Sequence, residues 1–256
     1  MNIVAIYDLA KDKEALAGSL AAVLNVSSYD VLIRLRVPGN GPLTVAVFAG
    51  KEQAEELAEK LKSAGFAALV LFDADIEAAA LTRIVRRFVL GPQELRVGTE
   101  EGDNVTVSLQ DVDLILYGMS ITLSTGTETI KKRSVSPGRA VLSGGLMMTK
   151  TTKTTRDVIT EERERFINLY TGNNPVFVFL ENSLDYNSLG PVRKPSRSEN
   201  FTYLLSELRR CCPSAVFDDR LVNRAAQVAL LGPLLDPEDN LCVSTALLAK
   251  VLRRAV

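Results

Sequence analysis

The apolar residues at the start of the chain switch repeatedly between strand-like and helical spacing. The runs NIVAIYD (2–8), LTVAVFA (43–49) and FAALVLF (66–72) are short and almost continuously apolar, which is typical of buried strands. Three further segments carry apolar residues three and four positions apart, as on one face of a helix: 12–24, 27–36 and 51–64. Gly65 follows the last of these at the position where helices commonly end. The pattern therefore predicts the order βααβαβ.

From residue 84 onwards, period-two alternation dominates. Leu95 and Val97 alternate with polar residues before EEGDN, and Val105 and Val107 do so after it, which predicts a hairpin. Six or seven antiparallel strands are expected over 84–212, with a second hairpin around Gly172-Asn173-Asn174. An amphipathic helix follows Ser196, and four apolar residues form its inward face: Phe201, Leu204, Leu205 and Leu208.

The last forty residues suggest two helices. Asp218 or Asp219 is expected to cap the first, which Gly232-Pro233 would end. DPEDN precedes the second helix, whose apolar face includes Leu247 and Leu248. The predicted fold class is therefore α+β. Its predicted parts are a βααβαβ domain (1–75), a linker (76–83), an antiparallel β domain closed by a helix (84–213) and a C-terminal helical pair (214–256).

The segment from Ser27 to Phe72 resembles the C-terminal domain of the bacterial ribosomal stalk protein, and the Clp-protease adaptor has a similar fold. The resemblance is carried by SSYDVLIRL, a Pro/Gly break, and KEQAEELAEKLKSAGFAALVLF. It implies a module that binds other proteins. The stalk domain uses a lysine-rich helix for its partners, and the matching helix here has Arg34 and Arg36 together with Asp30.

The middle of the chain resembles the bacterial pleckstrin-homology-like domain, in which a C-terminal helix plugs one end of an antiparallel β-barrel. The resemblance is carried by VSLQDVDLIL and by SENFTYLLSELRR, which is similar to the closing helix. It implies binding of proteins or lipid headgroups, and the fold alone does not say which.

Composition removes several classes of chemistry. The chain has 256 residues and no histidine, which excludes Ser-His-Asp and Cys-His catalysis and histidine-bound metals. The three cysteines form no C-x-x-C pair, which favours a reducing cytoplasm over a disulfide framework. The N-terminus is expected to be a strand rather than a signal peptide. No cofactor or metal is expected, and the chain is predicted not to be an enzyme.

One stretch is strongly basic. Residues 131–157, KKRSVSPGRAVLSGGLMMTKTTKTTRD, contain seven Lys and Arg and one acidic residue, although the formal charge of the chain is −1. Residues 121–135 and 149–166 are expected to be the arms of an exposed β-hairpin, with a short helix beginning at Pro137. The candidate partner-binding or anion-binding residues are Lys131, Lys132, Arg133, Arg139, Leu146, Met147, Met148, Lys150, Lys153 and Arg156.

Three interpretations of this stretch remain open. Its lysines could protect a solvated strand edge from aggregation, its edge and Met residues could bind a protein partner, or its charge could bind anionic lipid. Nucleic acid is disfavoured because the stretch has no aromatic residue for base stacking. We therefore expect a cytoplasmic adaptor or scaffold, or else a peripheral binder of anionic membranes through 131–156. A carboxylate-based enzyme would require a pocket in which Asp, Glu, Lys or Tyr converge.

Overall fold

The computed structural model describes residues 1–9, 13–35, 41–135, 149–172 and 175–254, and the backbone alone for 80, 123–135 and 149–160. They form two compact units, Met1–Ser120 together with Glu164–Val256, and Ile121–Arg163. The ten strands are β1 Asn2–Tyr7, β2 Leu43–Phe48, β3 Ala67–Leu71, β4 Thr82–Leu90, β5 Glu94–Thr99, β6 Asn104–Ser108, β7 Val112–Val135, β8 Thr149–Thr171, β9 Val176–Leu180 and β10 Val216–Leu221. The α-helices are α1 Lys13–Leu24, α2 Ser28–Arg34, α3 Lys51–Ser63, α4 Asp73–Ala80, α5 Arg197–Cys211, α6 Arg224–Leu231 and α7 Leu241–Leu252.

The first 71 residues have the predicted order βααβαβ. Their strands form an antiparallel sheet in the order β2-β1-β3. Val4 and Ile6 of β1 pack with helices α1 to α3, while Ile3 and Ala5 belong to a second core. Because successive strand residues face opposite sides, this sheet is buried on both faces, which explains why its strands are almost wholly apolar.

The seven other strands form one mixed sheet in the order β10-β7-β8-β9-β4-β5-β6. The hairpins β5–β6 and β8–β9 are antiparallel, as predicted, and Leu95 pairs with Val107. Two pairs are parallel instead, β4 with β9 and β10 with β7. The α+β class is therefore confirmed. The closed barrel is not, because no pairing of β10 with β6 closes the sheet in the described part of the chain.

One face of the large sheet is covered by α5. Phe201, Leu204 and Leu208 of this helix are fully buried against sheet residues that include Phe88 and Phe179. Ser196, which the sequence placed before this helix, caps it, and Glu199 completes a capping box. The predicted packing of this helix onto the strands is confirmed.

The other face of the large sheet shares a core with the C-terminal helices and the small sheet. This core joins residues from the beginning, the middle and the end of the chain: Ile3, Leu69, Leu71, Leu114, Leu116, Phe166, Tyr170, Leu221, Leu230 and Leu247. The predicted boundaries at 76–83 and 213–214 therefore fall inside the first compact unit. Residues 76–83, the predicted linker, contain the end of α4 and the start of β4.

The region after Pro213 differs from the expected helical pair. Val216–Leu221 is strand β10, so the prediction that Asp218 or Asp219 caps a helix is wrong. Asn223 caps α6 through its side chain, and Gly232 ends the helix with a positive φ of 67°. Asp218 of this strand is ion-paired with Arg220 of the same strand, at 2.7 Å between Oδ2 and Nη2.

Candidate functional site

The sequence-predicted basic residues lie on two neighbouring strands. Lys131, Lys132 and Arg133 are in β7, and three others are in β8: Lys150, Lys153 and Arg156. Since β7 and β8 are hydrogen-bonded neighbours in the sheet, the two predicted arms are strands that lie side by side. The remaining candidates and the short helix predicted at Pro137 lie outside the described residues: Arg139, Leu146, Met147 and Met148.

The compact unit Ile121–Arg163 contains the far parts of these two strands, which we call the ribbon (121–135 with 149–163). Strand β10 pairs with β7 only as far as Gly118, and β9 pairs with β8 only from Phe166 onwards. Among the described residues, the two ribbon strands therefore have only each other as strand neighbours. At about 3.3 Å per residue, each ribbon strand is roughly 50 Å long.

The ribbon and its connection concentrate positive charge. Residues 121–163 contain eight Lys and Arg against four Asp and Glu, whereas the remainder of the chain contains 22 against 27. The segment also contains ten threonines and no aromatic residue. This composition favours an extended, hydrated backbone that attracts anions.

A second surface lies on α2, the helix that the stalk-protein resemblance assigns to partners. Tyr29 and Ile33 of this helix are exposed. Ile33 lines an apolar groove of about 430 Å³ together with Val228 and Pro233. The basic residue Arg34 also lines this groove, whereas Arg36 lies outside the described residues. The groove offers apolar contact area, and its charged rim contains Asp30 and Arg34.

A third site was not anticipated from the sequence. A cavity of about 510 Å³, which we call the α4–α7 pocket, lies at the ends of α4 and α7 beside the end of β8. Asp75, Tyr170, Lys250 and Arg253 line it, together with an apolar wall. No pattern in the sequence links these residues, because they come from three distant segments. Asp, Lys and Tyr side chains converge in this pocket, as a carboxylate-based enzyme would require.

Ion pairs hold the charged groups of this pocket in place. Lys250 Nζ donates to Asp75 Oδ2 at 2.6 Å, and the same oxygen accepts the backbone N–H of Phe72 at 2.8 Å. Arg253 donates through Nε and one Nη2 hydrogen to Asp113 Oδ2, at 3.1 and 2.8 Å. The two carboxylates are therefore engaged in cation binding, and Asp75 also caps α4, which leaves neither as an unpaired base.

Tyr170 is kept neutral by its surroundings. Burial is the main cause that raises the pKa of its hydroxyl to about 12; the hydrogen bond with Asn168 and the charge of Arg253 oppose it, and the charge of Asp113 adds to it. The Arg253 guanidinium lies 5.8 Å from the centre of the Tyr170 ring. At neutral pH this hydroxyl is therefore a hydrogen-bond donor and not a nucleophile.

The vicinal cysteines have a structural role. Cys211 and Cys212 are at the end of α5, and Cys212 is buried in the core beneath that helix. Burial, followed by the neighbouring Cys211, raises the pKa of the Cys212 thiol to about 11. The thiol is therefore protonated at neutral pH and a poor nucleophile.

Neither a metal site nor a membrane span is found in the parts of the chain that the structure describes. No three His, Cys, Asp or Glu side chains there are grouped so that they could hold a metal ion. No single described helix is long and apolar enough to cross a membrane. Helices α1 and α2 reach that threshold only when taken together, and the chain bends by 117° between them.

Comparisons of this chain with protein-family models, with curated proteins and with solved structures found no match.

Proposed function

We propose that the chain is a non-enzymatic interaction module, an adaptor or scaffold of the cytoplasm, that binds an extended acidic segment of a partner protein along its ribbon. The observation that carries the proposal is the strand pairing. Residues 121–135 and 149–163 pair, among the described residues, only with each other. Their outer backbone edges are therefore a template on which a further strand can add.

Two physical arguments favour this function. A lone two-stranded ribbon is marginally stable in water, and a third strand adds a ladder of backbone hydrogen bonds. The excess of Lys and Arg in 121–163 gives the ribbon a charge complementary to an acidic segment. A basic edge also resists pairing with a second copy of itself, because like charges would then be opposed.

The fold resemblances remain part of the proposal. The βααβαβ order of Asn2–Leu71 supports a likeness to the stalk-protein and Clp-adaptor domains, which bind proteins. The packing of α5 onto a sheet that contains the β5–β6 and β8–β9 hairpins supports a pleckstrin-like origin for the middle of the chain. Both likenesses favour binding over catalysis.

The experiment is a proline scan of the ribbon, with partner capture from native lysate as the first measurement. In an antiparallel ribbon, the N–H groups of successive residues point alternately to the partner strand and to the outer edge. Thr127→Pro and Glu128→Pro therefore remove one N–H of each kind. If a partner strand adds to the edge, the variant that lacks the outward N–H should no longer bind the partner protein. The amides of β8 in that variant should stay protected from hydrogen exchange.

The other proline variant, which lacks the N–H that points to β8, serves as the internal control. It should disturb the pairing of β7 with β8 and expose the amides of β8 to hydrogen exchange. Charge reversal of Lys131, Lys132, Lys150 and Lys153 to Glu should also release an acidic partner. If both proline variants retain the captured protein, or if the purified chain is a partner-free monomer at its native concentration, the proposal fails.

A second candidate function is binding to an anionic membrane surface through 131–156. The seven Lys and Arg of residues 131–157 favour it. At ~1 kcal/mol for each basic residue near the surface, replacing four lysines should weaken binding by roughly three orders of magnitude. Co-sedimentation with phosphatidylserine vesicles at low and high salt is the measurement. Equal sedimentation of the four-lysine variant would reject this function, and retention of vesicle binding by both proline variants would separate it from strand addition.

A further inference from the structure

The α4–α7 pocket has the dimensions of a small-molecule site. Its volume of about 510 Å³ falls in the range of ligand pockets, which are typically ~300–1,000 Å³. It is an open pocket lined by α4, α7, the ends of β3 and β8 and the start of β9, together with Leu81, Gly172 and Pro175 from the connections between elements.

The charged groups at the pocket form two ion pairs, so its cations provide hydrogen-bond donors rather than a net positive charge. One carboxylate, Asp75, faces two cations, Lys250 and Arg253. The cations are three residues apart on α7, so they share one side of the helix. Asp113 does not line the pocket, but its carboxylate accepts hydrogen bonds from Nε and Nη2 of Arg253 and neutralises the charge of that side chain.

Several hydrogen-bond donors at this site are not used by the protein. Arg253 donates through Nε and Nη2 to Asp113 and, at 2.5 Å, to the carbonyl oxygen of Gly172, and its Nη1 donates to no described residue. Lys250 Nζ donates to Asp75 alone among described atoms. The hydroxyl of Tyr170 is hydrogen-bonded to Asn168, which lowers its pKa and therefore donates to it, so the proton of the neutral hydroxyl is the third donor. Unused donors on ordered cations are what an anionic group requires.

The remaining wall of the pocket is apolar. Leu71, Ala78, Ala79, Leu81 and Val176 line it, and Leu81 is 74% exposed at its rim. A side chain of this size is costly to leave in water, so a ligand with an apolar body would cover it. Charge at one end and apolar surface at the other define an amphiphilic anion.

We propose that the α4–α7 pocket binds a small amphiphilic carboxylate, with its acidic group on Lys250, Arg253 and Tyr170 and its apolar chain along α4. This inference is independent of the ribbon. The two sites share no residue, so either can fail without the other. Asp75 and Asp113 position the two cations, and the carboxylate of the ligand takes the donors that they leave free.

The test is titration of the full chain with hexanoate, followed by calorimetry and by amide chemical shifts of α4 and α7. Hexylammonium reverses the charge of the probe, hexanol removes it, and inorganic phosphate and acetate remove the apolar body. We expect hexanoate to bind at least tenfold more tightly than each of these four. Equal binding of hexanoate and hexylammonium, or no binding of hexanoate up to about 10 mM, would overturn the proposal. Binding of phosphate as tight as that of hexanoate would show that the site needs only an anion, which would also overturn the proposal.

Three variants locate the site. Lys250→Gln and Tyr170→Phe should each weaken hexanoate about tenfold, because each removes a hydrogen bond to a charged group. Ala78→Leu should also weaken it about tenfold, because the larger side chain fills the cavity without removing a charge or a buried contact. Lys62→Gln, an exposed change of the same charge on α3, is the matched control. Unchanged affinity in Ala78→Leu, with wild-type stability, would place the ligand elsewhere and reject the pocket.

Discussion

Gly118 on β7 lies where the large sheet has no room for a side chain. A Cβ added there would be 2.3 Å from Phe166 Cζ and 2.8 Å from Leu221 Cβ, whereas ordinary contact begins at 3.4 Å. Phe166 and Leu221 are themselves 4% and 1% exposed, so neither can move towards solvent. The Gly118→Ala substitution must therefore displace the strands on either side of β7 by about an ångström.

The expected cost follows from this overlap. Overpacking a core by one carbon costs about 1–3 kcal/mol, and a deficit of about 1 Å against two buried neighbours belongs at the upper end. A loss of about 3 kcal/mol should lower the Tm of a chain of this size by about 6–12 °C. Calorimetry and urea unfolding measure it. Gly18→Ala on α1 is the control, because no atom lies within 4 Å of its added Cβ and alanine stabilises a helix by ~0.5–1 kcal/mol over glycine.

A second substitution tests the assigned cause. Phe166→Leu shortens the ring that meets the new Cβ, so in the Gly118→Ala background it should cost less than it does alone. The coupling between residues in direct contact is commonly about 0.5–3 kcal/mol. A Gly118→Ala protein as stable as wild type, or costs that simply add in the double variant, would refute the steric reasoning.

Three other predictions follow from the core and from helix α5. Ser196→Ala removes the oxygen that accepts the Glu199 backbone N–H at 3.0 Å and should cost about 1 kcal/mol of unfolding free energy in urea, while Ser196→Asp should retain most of it. Glu181→Gln neutralises the half-buried carboxylate that accepts two hydrogen bonds from Arg165, at 2.7 and 2.9 Å. We expect the free energy of unfolding to fall by about 2 kcal/mol, and this loss should change little with added salt. A strong salt dependence would contradict burial of the pair. The folded-state pKa of Cys212 is raised from 9.0 to about 11. Its contribution to stability is therefore complete below pH 9 and is lost as the pH rises through 11. Cys212→Ala should flatten this decline of stability with pH, and an unchanged pH profile would exclude Cys212 as its cause.

Sequence periodicity predicted the elements whose partners are close along the chain. Helix α3 was recognisable because Ala54, Ala58 and Leu61 recur on one face and Gly65 follows it, and all three are buried as expected. The β5–β6 hairpin was recognisable because Leu95 and Val107 alternate around a polar turn, and they pair directly. Local spacing carries this information because neighbouring residues bury the same face together.

Strand β10 could not be recognised in this way. VFDDRL has two adjacent acids at its centre, which are typical of a helix cap, and only the end of the strand is fully buried. Its partner is β7, about a hundred residues earlier in the chain, and the pairing is parallel. Whether a strand can hold Asp218 depends on Arg220 and on the pairing with β7, and the local sequence pattern does not reveal that pairing.

The α4–α7 pocket illustrates the same limit for function. Asp75 was the last residue of the predicted N-terminal domain, Tyr170 belonged to an apolar strand pattern, and Lys250 and Arg253 were ordinary residues near a helix end. Each was consistent with a purely structural role. Only the packing of α4 against α7 brings them to one cavity, so the cluster is a property of tertiary structure. The basic ribbon, by contrast, was visible in the sequence because its charge is contiguous.

The strand order of the large sheet constrains how the chain can fold. The small sheet is complete by Leu71, so it needs no residue made later. The large sheet instead joins β4 to β9 and β7 to β10, pairs separated by roughly ninety to a hundred residues. Loop closure over such distances slows folding. We therefore expect the N-terminal sheet to form before the large sheet, with one of its faces exposed until α6 and α7 have been synthesised and complete the shared core.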